Sequence, residues 1–164
     1  MNEVELANEL RLWIQEFVST PNKLLNNWPP CPFAGQAYLS NQVEIQFHNT
    51  EDLESFITSH LYKLTKLDVI IFCIETNYIN VQDLSNRIEF LNKSLSEYDI
   101  VLLEDHPNQI ENLNGVIMNF GKCILVFAQK LSKLNDASKQ LKEKGYYANW
   151  PAFNLENVVD WRNK

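Results

Sequence analysis

Along this chain, apolar residues recur first at helical spacing, then at every second position, then in short unbroken runs. Leu6, Leu10, Trp13, Ile14 and Phe17 share one helical face and Pro21 follows them, which predicts an amphipathic helix lying on the body of the protein. From Asn22 to Pro32 the pattern dissolves among prolines, and Pro32 suits the first turn of a short helix over residues 33–39. Val43, Ile45 and Phe47 then alternate with Glu44 and Gln46, the mark of a strand with one wet face. Thr50 is the expected cap of the next helix, with Glu51, Asp52 and Glu54 in its first turn and Leu53, Phe56, Ile57, Leu61 and Leu64 as its buried stripe.

The run LDVIIFCIE, residues 67–75, is almost unbroken in apolar character and predicts a central strand covered on both faces. Asn80, with Asp83 three residues on, opens a helix carried by Leu84, Ile88, Leu91 and Leu95. DIVLLEDHP gives a further strand broken at Pro107, and residues 107–121 are loop-like with an Asn114–Gly115 turn signal. CILVFA, residues 123–128, is the fourth strand; it feeds a helix bearing Leu131, Leu134, Ala137 and Leu141, which Gly145 stops. The aromatic tail, residues 145–164, is expected to pack back onto the body.

In sequence this is β-α-β-α-β-β-α behind an N-terminal helix. The expected fold is one layered α/β domain over residues 1–164 with a mixed four-stranded sheet, because such alternation requires parallel crossovers. The order is that of a thioredoxin-like domain. The redox fold sets its cysteine pair where the first strand meets its helix, and here that junction reads FHNTED without a cysteine. A thioredoxin-type oxidoreductase is therefore disfavoured.

Composition narrows the function classes. A formal charge of −7, with fourteen dispersed Lys and Arg, argues against a surface that tracks phosphates, so nucleic acid is not an expected partner. No apolar stretch reaches the length of a spanning helix, and the acidic start MNEVELANEL does not read as a secretory leader. Three cysteines without a CxxC fit neither a disulfide framework nor a zinc module, and a reducing cytosolic setting follows.

Candidate chemistry gathers at few places. In NNWPPCPFAGQ, residues 26–36, Cys31 is either a low-pKa thiolate at a helix N-terminus or a small hydrophobe tucked under Trp28 or Phe33. Cys73 and Cys123 lie in the most apolar strands and read as core. At LEDHP, Glu104 or Asp105 could orient His106 as a general base where a strand ends, or the three could form a solvated turn. His48 leaves the first strand much as His106 leaves the third, so Cys31, His48, Asp105 and His106 could compose a mixed ligand set for zinc or iron. No recognised metal motif is present, and the sequence leaves the cofactor open. His60 reads as surface or boundary. Asn114 and Asn119 could bind a ligand from their loop or bond their own turns.

CPFAGQAYLSNQVEIQF, residues 31–47, resembles the start of an uncharacterised bacterial family that carries N-L-C-P-F-A after an N-terminal helix, then a strand. Pro29 and Pro30 replace the family's asparagine–leucine pair, and the resemblance transfers no catalytic residue. Two functions remain. One is a non-catalytic binding or accessory protein, contacting a protein partner or small ligand through Tyr146, Tyr147, Trp150, Phe153 and Trp161 or through the Trp28–Phe33 cluster. The other is a small-molecule or metal-dependent enzyme built on Cys31 and Glu104–Asp105–His106.

Overall fold

The computed structural model describes residues 2–49 and 52–164. The chain opens with α1 (Glu3–Trp13), where the Asn2 side chain accepts from the Glu5 amide and Leu6, Ala7 and Leu10 are buried. Its C-terminal extension, Ile14–Val18, widens into a π turn. After the proline-rich connection comes α2 (Ala34–Leu39), with Phe33 in the capping position. Next are β1 (Val43–Phe47), α3 (Leu53–His60) and β2 (Val69–Ile74). Thr50 and Glu51 lie outside the described residues; the cap seen on α3 is Asp52, whose carboxylate accepts from the Ser55 amide.

Asn80 caps α4 (Val81–Leu95) as expected, accepting from the Asp83 amide at 3.0 Å while its own amide donates to the Asp83 carboxylate at 2.7 Å. β3 (Ile100–Asp105) follows. The expected loop then contains a small hairpin, β4 (Asn112–Leu113) and β5 (Val116–Ile117). Asn114 and Gly115 both take positive φ, at 53° and 92°, as a two-residue hairpin turn demands. β6 (Ile124–Lys130) runs two residues further than its apolar core and passes directly into α5 (Leu131–Glu143). Tyr146 N–H donates to Leu141 O and Gly145 N–H to Lys142 O, with Gly145 at φ 83°. This is the left-handed stop that a glycine makes inexpensive. In the tail, α6 (Ala152–Val158) and a last helical turn, Asp160–Asn163, complete the chain.

The sheet order is β1-β2-β6-β3, with β1 parallel to β2 and β6 antiparallel to both its neighbours. β1, β2 and β3 therefore point the same way, and β6 runs against them between β2 and β3. Strand alternation divides the core in two. On one face Ile70, Phe72, Ile74, Ile124, Val126 and Ala128 meet Leu53, Phe56 and Ile57 of α3 and Leu84, Ile88 and Leu91 of α4. On the other, Ile71, Cys73, Leu125 and the apolar set of β1 meet Leu6, Leu10 and Ile14. Each fully buried side chain of this kind contributes about 1.5–3 kcal/mol. The polar face of β1 is less wet than its alternation suggests, because Lys63 reaches over to pair with Glu44. Among the described residues no helix is long and apolar enough to cross a membrane.

Candidate functional site

Because β1, β2 and β3 are parallel, their carboxyl ends share one rim, the usual place for ligands in an open α/β sheet. His48 and His106 do leave the sheet at that rim. They do not meet. The strands they leave are three positions apart in the sheet, about 14 Å at ordinary strand spacing. The segment Tyr78–Ile79 contacts both imidazoles.

At the β3 exit the side chains are committed to the fold. His106 is 3 % exposed; its Nε2 donates to Ile79 O at 3.0 Å and its Nδ1 accepts from the Asn108 amide at 3.1 Å. That pairing is the neutral imidazole protonated on Nε2, with no nitrogen left for a substrate. Asp105 accepts from the Asn119 amide at 2.6 Å on one oxygen and from Phe120 N–H at 2.9 Å on the other. Burial nevertheless pushes its carboxyl up, against the effect of those bonds. Glu104 points to the opposite face, where Ser85 Oγ donates to Oε1. Its Oε2 is buried without a hydrogen-bond partner, and burial raises this carboxyl too. The carboxylates do not orient the imidazole: the general-base arrangement expected of Glu104, Asp105 and His106 is replaced by structural bonds.

Asn119 is the clasp of this corner. Its amide also donates to Gln109 O at 2.9 Å, and its oxygen accepts from Glu111 N–H at 2.7 Å. It stabilises the turn rather than presenting itself to a ligand. The Glu111 carboxyl is pushed up to about 7, by burial first and then by Asp105 and Glu104. As a residue Glu111 is exposed, so water screens part of that repulsion and the upward direction is the firmer result. Asn114 sits apart, at the hairpin tip, donating to Asn149 O at 3.1 Å.

At the β1 exit His48 is half-buried between Phe56 and Tyr78, with ring centroids at 5.2 and 4.5 Å. Its Nε2 is buried without a hydrogen-bond partner among the described residues, and desolvation holds its pKa below the ordinary histidine value. Beside it Asn49, Asp52, Ser55, Phe56, Ser59 and His60 line an open cleft of about 440 Å³. His60 is half-buried, with Nδ1 2.7 Å from Phe56 O. Residues 52, 55, 56, 59 and 60 follow one face of α3, a period visible in the sequence but masked there by the apolar stripe that shares Phe56.

Cys31 belongs to another neighbourhood. Tyr146, from the tail, stacks edge-on with Trp28 at 5.4 Å and donates its hydroxyl to Pro30 O at 2.5 Å. Tyr147 and Trp150 join the same aromatic group. The residue Cys31 is exposed as a whole rather than fully tucked under Trp28 or Phe33. Exposure describes the residue as a whole, whereas reactivity depends on the sulfur. Burial of that sulfur pushes the thiol up, only partly offset by the Ala34 and Phe33 amides. That direction runs against the low-pKa thiolate, one of the two readings of Cys31 at the start of α2. Phe33 and Trp28 are half-buried packing residues. Cys73 and Cys123 are core, as expected, and all three thiols are free.

The mixed ligand set of Cys31, His48, Asp105 and His106 does not form. Among the described residues no three His, Cys, Asp or Glu side chains come together to hold a metal ion.

No family model matches the chain, and no solved structure matches it. It is similar to an uncharacterised protein of Dictyostelium discoideum, 33 % identical over 97 residues, which cover 56 % of this chain and 39 % of that protein. The match therefore spans about two fifths of the relative's length.

Proposed function

We propose that the chain is a non-catalytic binding or accessory protein, working in a reducing compartment such as the cytosol through contact with a protein partner. One observation carries the reading: His106, the imidazole placed beside two carboxylates, has both nitrogens spent on the fold. An enzyme built on this corner would have to break its own loop to act. The contact surface in this reading is the region where the proline connection, the hairpin and the tail meet. Most aromatics there pack inward, but Phe153 stays 76 % exposed and Leu24 59 % exposed. Asn154, next to Phe153, donates to Asn112 O on the hairpin, and Leu24 lies against the hairpin at Gly115. Exposed apolar anchors of this kind suit a partner's pocket. The acidic chain gives nucleic acid no part in the reading. Kinship with the bacterial C-P-F-A family, on residues 31–47, belongs to the same proposal.

A small-molecule ligand is the second reading, and the observation in its favour is the β1-exit cleft beside the unpartnered Nε2 of His48. The partner reading is tested by tagging the chain and its Leu24→Ser/Phe153→Ser variant in source cells. The wild type is expected to co-purify a stoichiometric protein that the variant loses, with unchanged melting temperature. Equal capture by both, or no capture by either, overturns it.

A further inference from the structure

The last helical turn buries a positive charge without a carboxylate. Arg162 is 8 % exposed. Its Nε donates to Val158 O at 2.9 Å, Nη1 to Asn135 Oδ1 at 3.0 Å and Nη2 to Ser138 Oγ at 3.0 Å. All three acceptors are neutral, and among the described residues no Asp or Glu forms an ion pair with this guanidinium. A buried cation of this sort costs several kcal/mol unless something compensates it. Fastening α5 to the tail does not require a full charge; the two N–H groups of an uncharged amide would suffice for the bonds to Asn135 and Ser138.

The donor count points to what is missing. A guanidinium carries five N–H groups. Three bonds leave one N–H on each terminal nitrogen, and such a pair forms the fork that grips two oxygens of a phosphate or carboxylate. Arg162 also lines a cleft of about 220 Å³ between α4, the start of β3 and the start of α5, with Trp161 as one wall and Ser96, Lys93 and Lys164 among its polar lining. Lys93 pairs with Glu89, and Lys164 with Glu156. Their charges are neutralised locally, which leaves Arg162 as the cleft's unbalanced cation in a protein of formal charge −7. Both lysines are exposed and long enough to swing from their surface partners onto a guest, since such pairs hold weakly.

We propose that this cleft is a binding site for a small oxyanion, a phosphate or carboxylate group held by the Arg162 fork and backed by Lys93 and Lys164. The size of the cleft excludes large guests, and the carboxylate in its lining, Glu89, is paired with Lys93. Neither Leu24 nor Phe153 lines this cleft, so it stands or falls separately from the protein-partner reading.

The test is calorimetric titration of the full chain with inorganic phosphate and, separately, with acetate, each at ionic strength fixed with sodium chloride. The indole resonance of Trp161 is followed by NMR. Saturable binding that moves that resonance is expected from at least one anion, and the responsive anion identifies the class of group. Arg162→Lys keeps the charge but loses the fork, and should weaken binding at least tenfold. Lys93→Ala/Lys164→Ala alters only exposed side chains, so it should fold normally and weaken binding about threefold; it decides the matter if Arg162→Lys fails to fold. A response no different from chloride, or binding unchanged in the folded variants, overturns the proposal.

Discussion

The exits of β1 and β3 occupy equivalent places on one rim of the sheet, yet one is closed and the other is open. At β3 the chain turns through Pro107 and folds residues 108–120 back over the strand end, where Asn119 and backbone groups take up every polar atom of Asp105 and His106. At β1 a histidine stands in the same position with a buried nitrogen unbonded, beside an open cleft. The difference teaches that strand-end position alone does not make a site. What the following loop does with the polar groups decides whether they remain available.

The comparison is broken or sharpened most sharply by deleting the two imidazoles. His106→Ala leaves Ile79 O and the Asn108 amide without their partner in the interior and opens a cavity, so a loss of about 3 kcal/mol is expected. His48→Ala gives up ring contacts around an Nε2 that has no hydrogen-bond partner among the described residues, and about 1 kcal/mol is expected. Urea unfolding of both variants measures the contrast; equal costs would mean that the two exits are not different in kind.

Next in size is Asn119→Ala. It strips one partner each from the Asp105 carboxylate, Gln109 O and Glu111 N–H, and should cost about 2 kcal/mol. Hydrogen exchange should accelerate across residues 106–120 and leave β2 unaffected. Uniform acceleration through the sheet would show that this loop is not a separate closure.

The smallest effect concerns charge. The folded carboxyl of Glu111 titrates near 7, against 4.5 for the free group, so folding favours its protonated form. Its stabilising contribution is complete below pH 4.5 and is lost as the pH rises through about 7. Glu111→Gln should therefore stabilise the protein at pH 8, by less than about 1 kcal/mol because the residue is exposed, and leave it unchanged at pH 4. Thermal melts at both pH values check this; a gain at pH 4 would contradict it.

Local signals were legible and long-range ones were not. Asn80 and Asp83, the α4 stripe, the Gly145 stop and the runs of β2 and β6 announce themselves through neighbours a few residues apart, where steric and capping rules act. The same reading placed His48 and His106 on one rim correctly. It could not supply their separation, because strand order depends on β6 pairing across the chain with β2 and β3. The Asn114–Gly115 turn was visible, but its two-residue strands are too short for any periodicity. The commitment of His106 to Ile79 O, 27 residues away, left no trace in the local pattern. Arg162 reads as one more surface base beside the tail until its partners on α5 are seen.

The position of β6 also governs how this protein can come into being. Residues 124–130 are the hydrogen-bonded link between the β1-β2 pair and β3, which share no ladder with each other. A nascent chain must therefore hold two greasy, half-finished pieces apart until residues 124–130 leave the ribosome. Only then can the sheet be completed, by threading a late strand into the middle rather than adding one at an edge. Late, non-local closure of this kind slows folding and lengthens the interval in which chaperones must shield the unfinished edges.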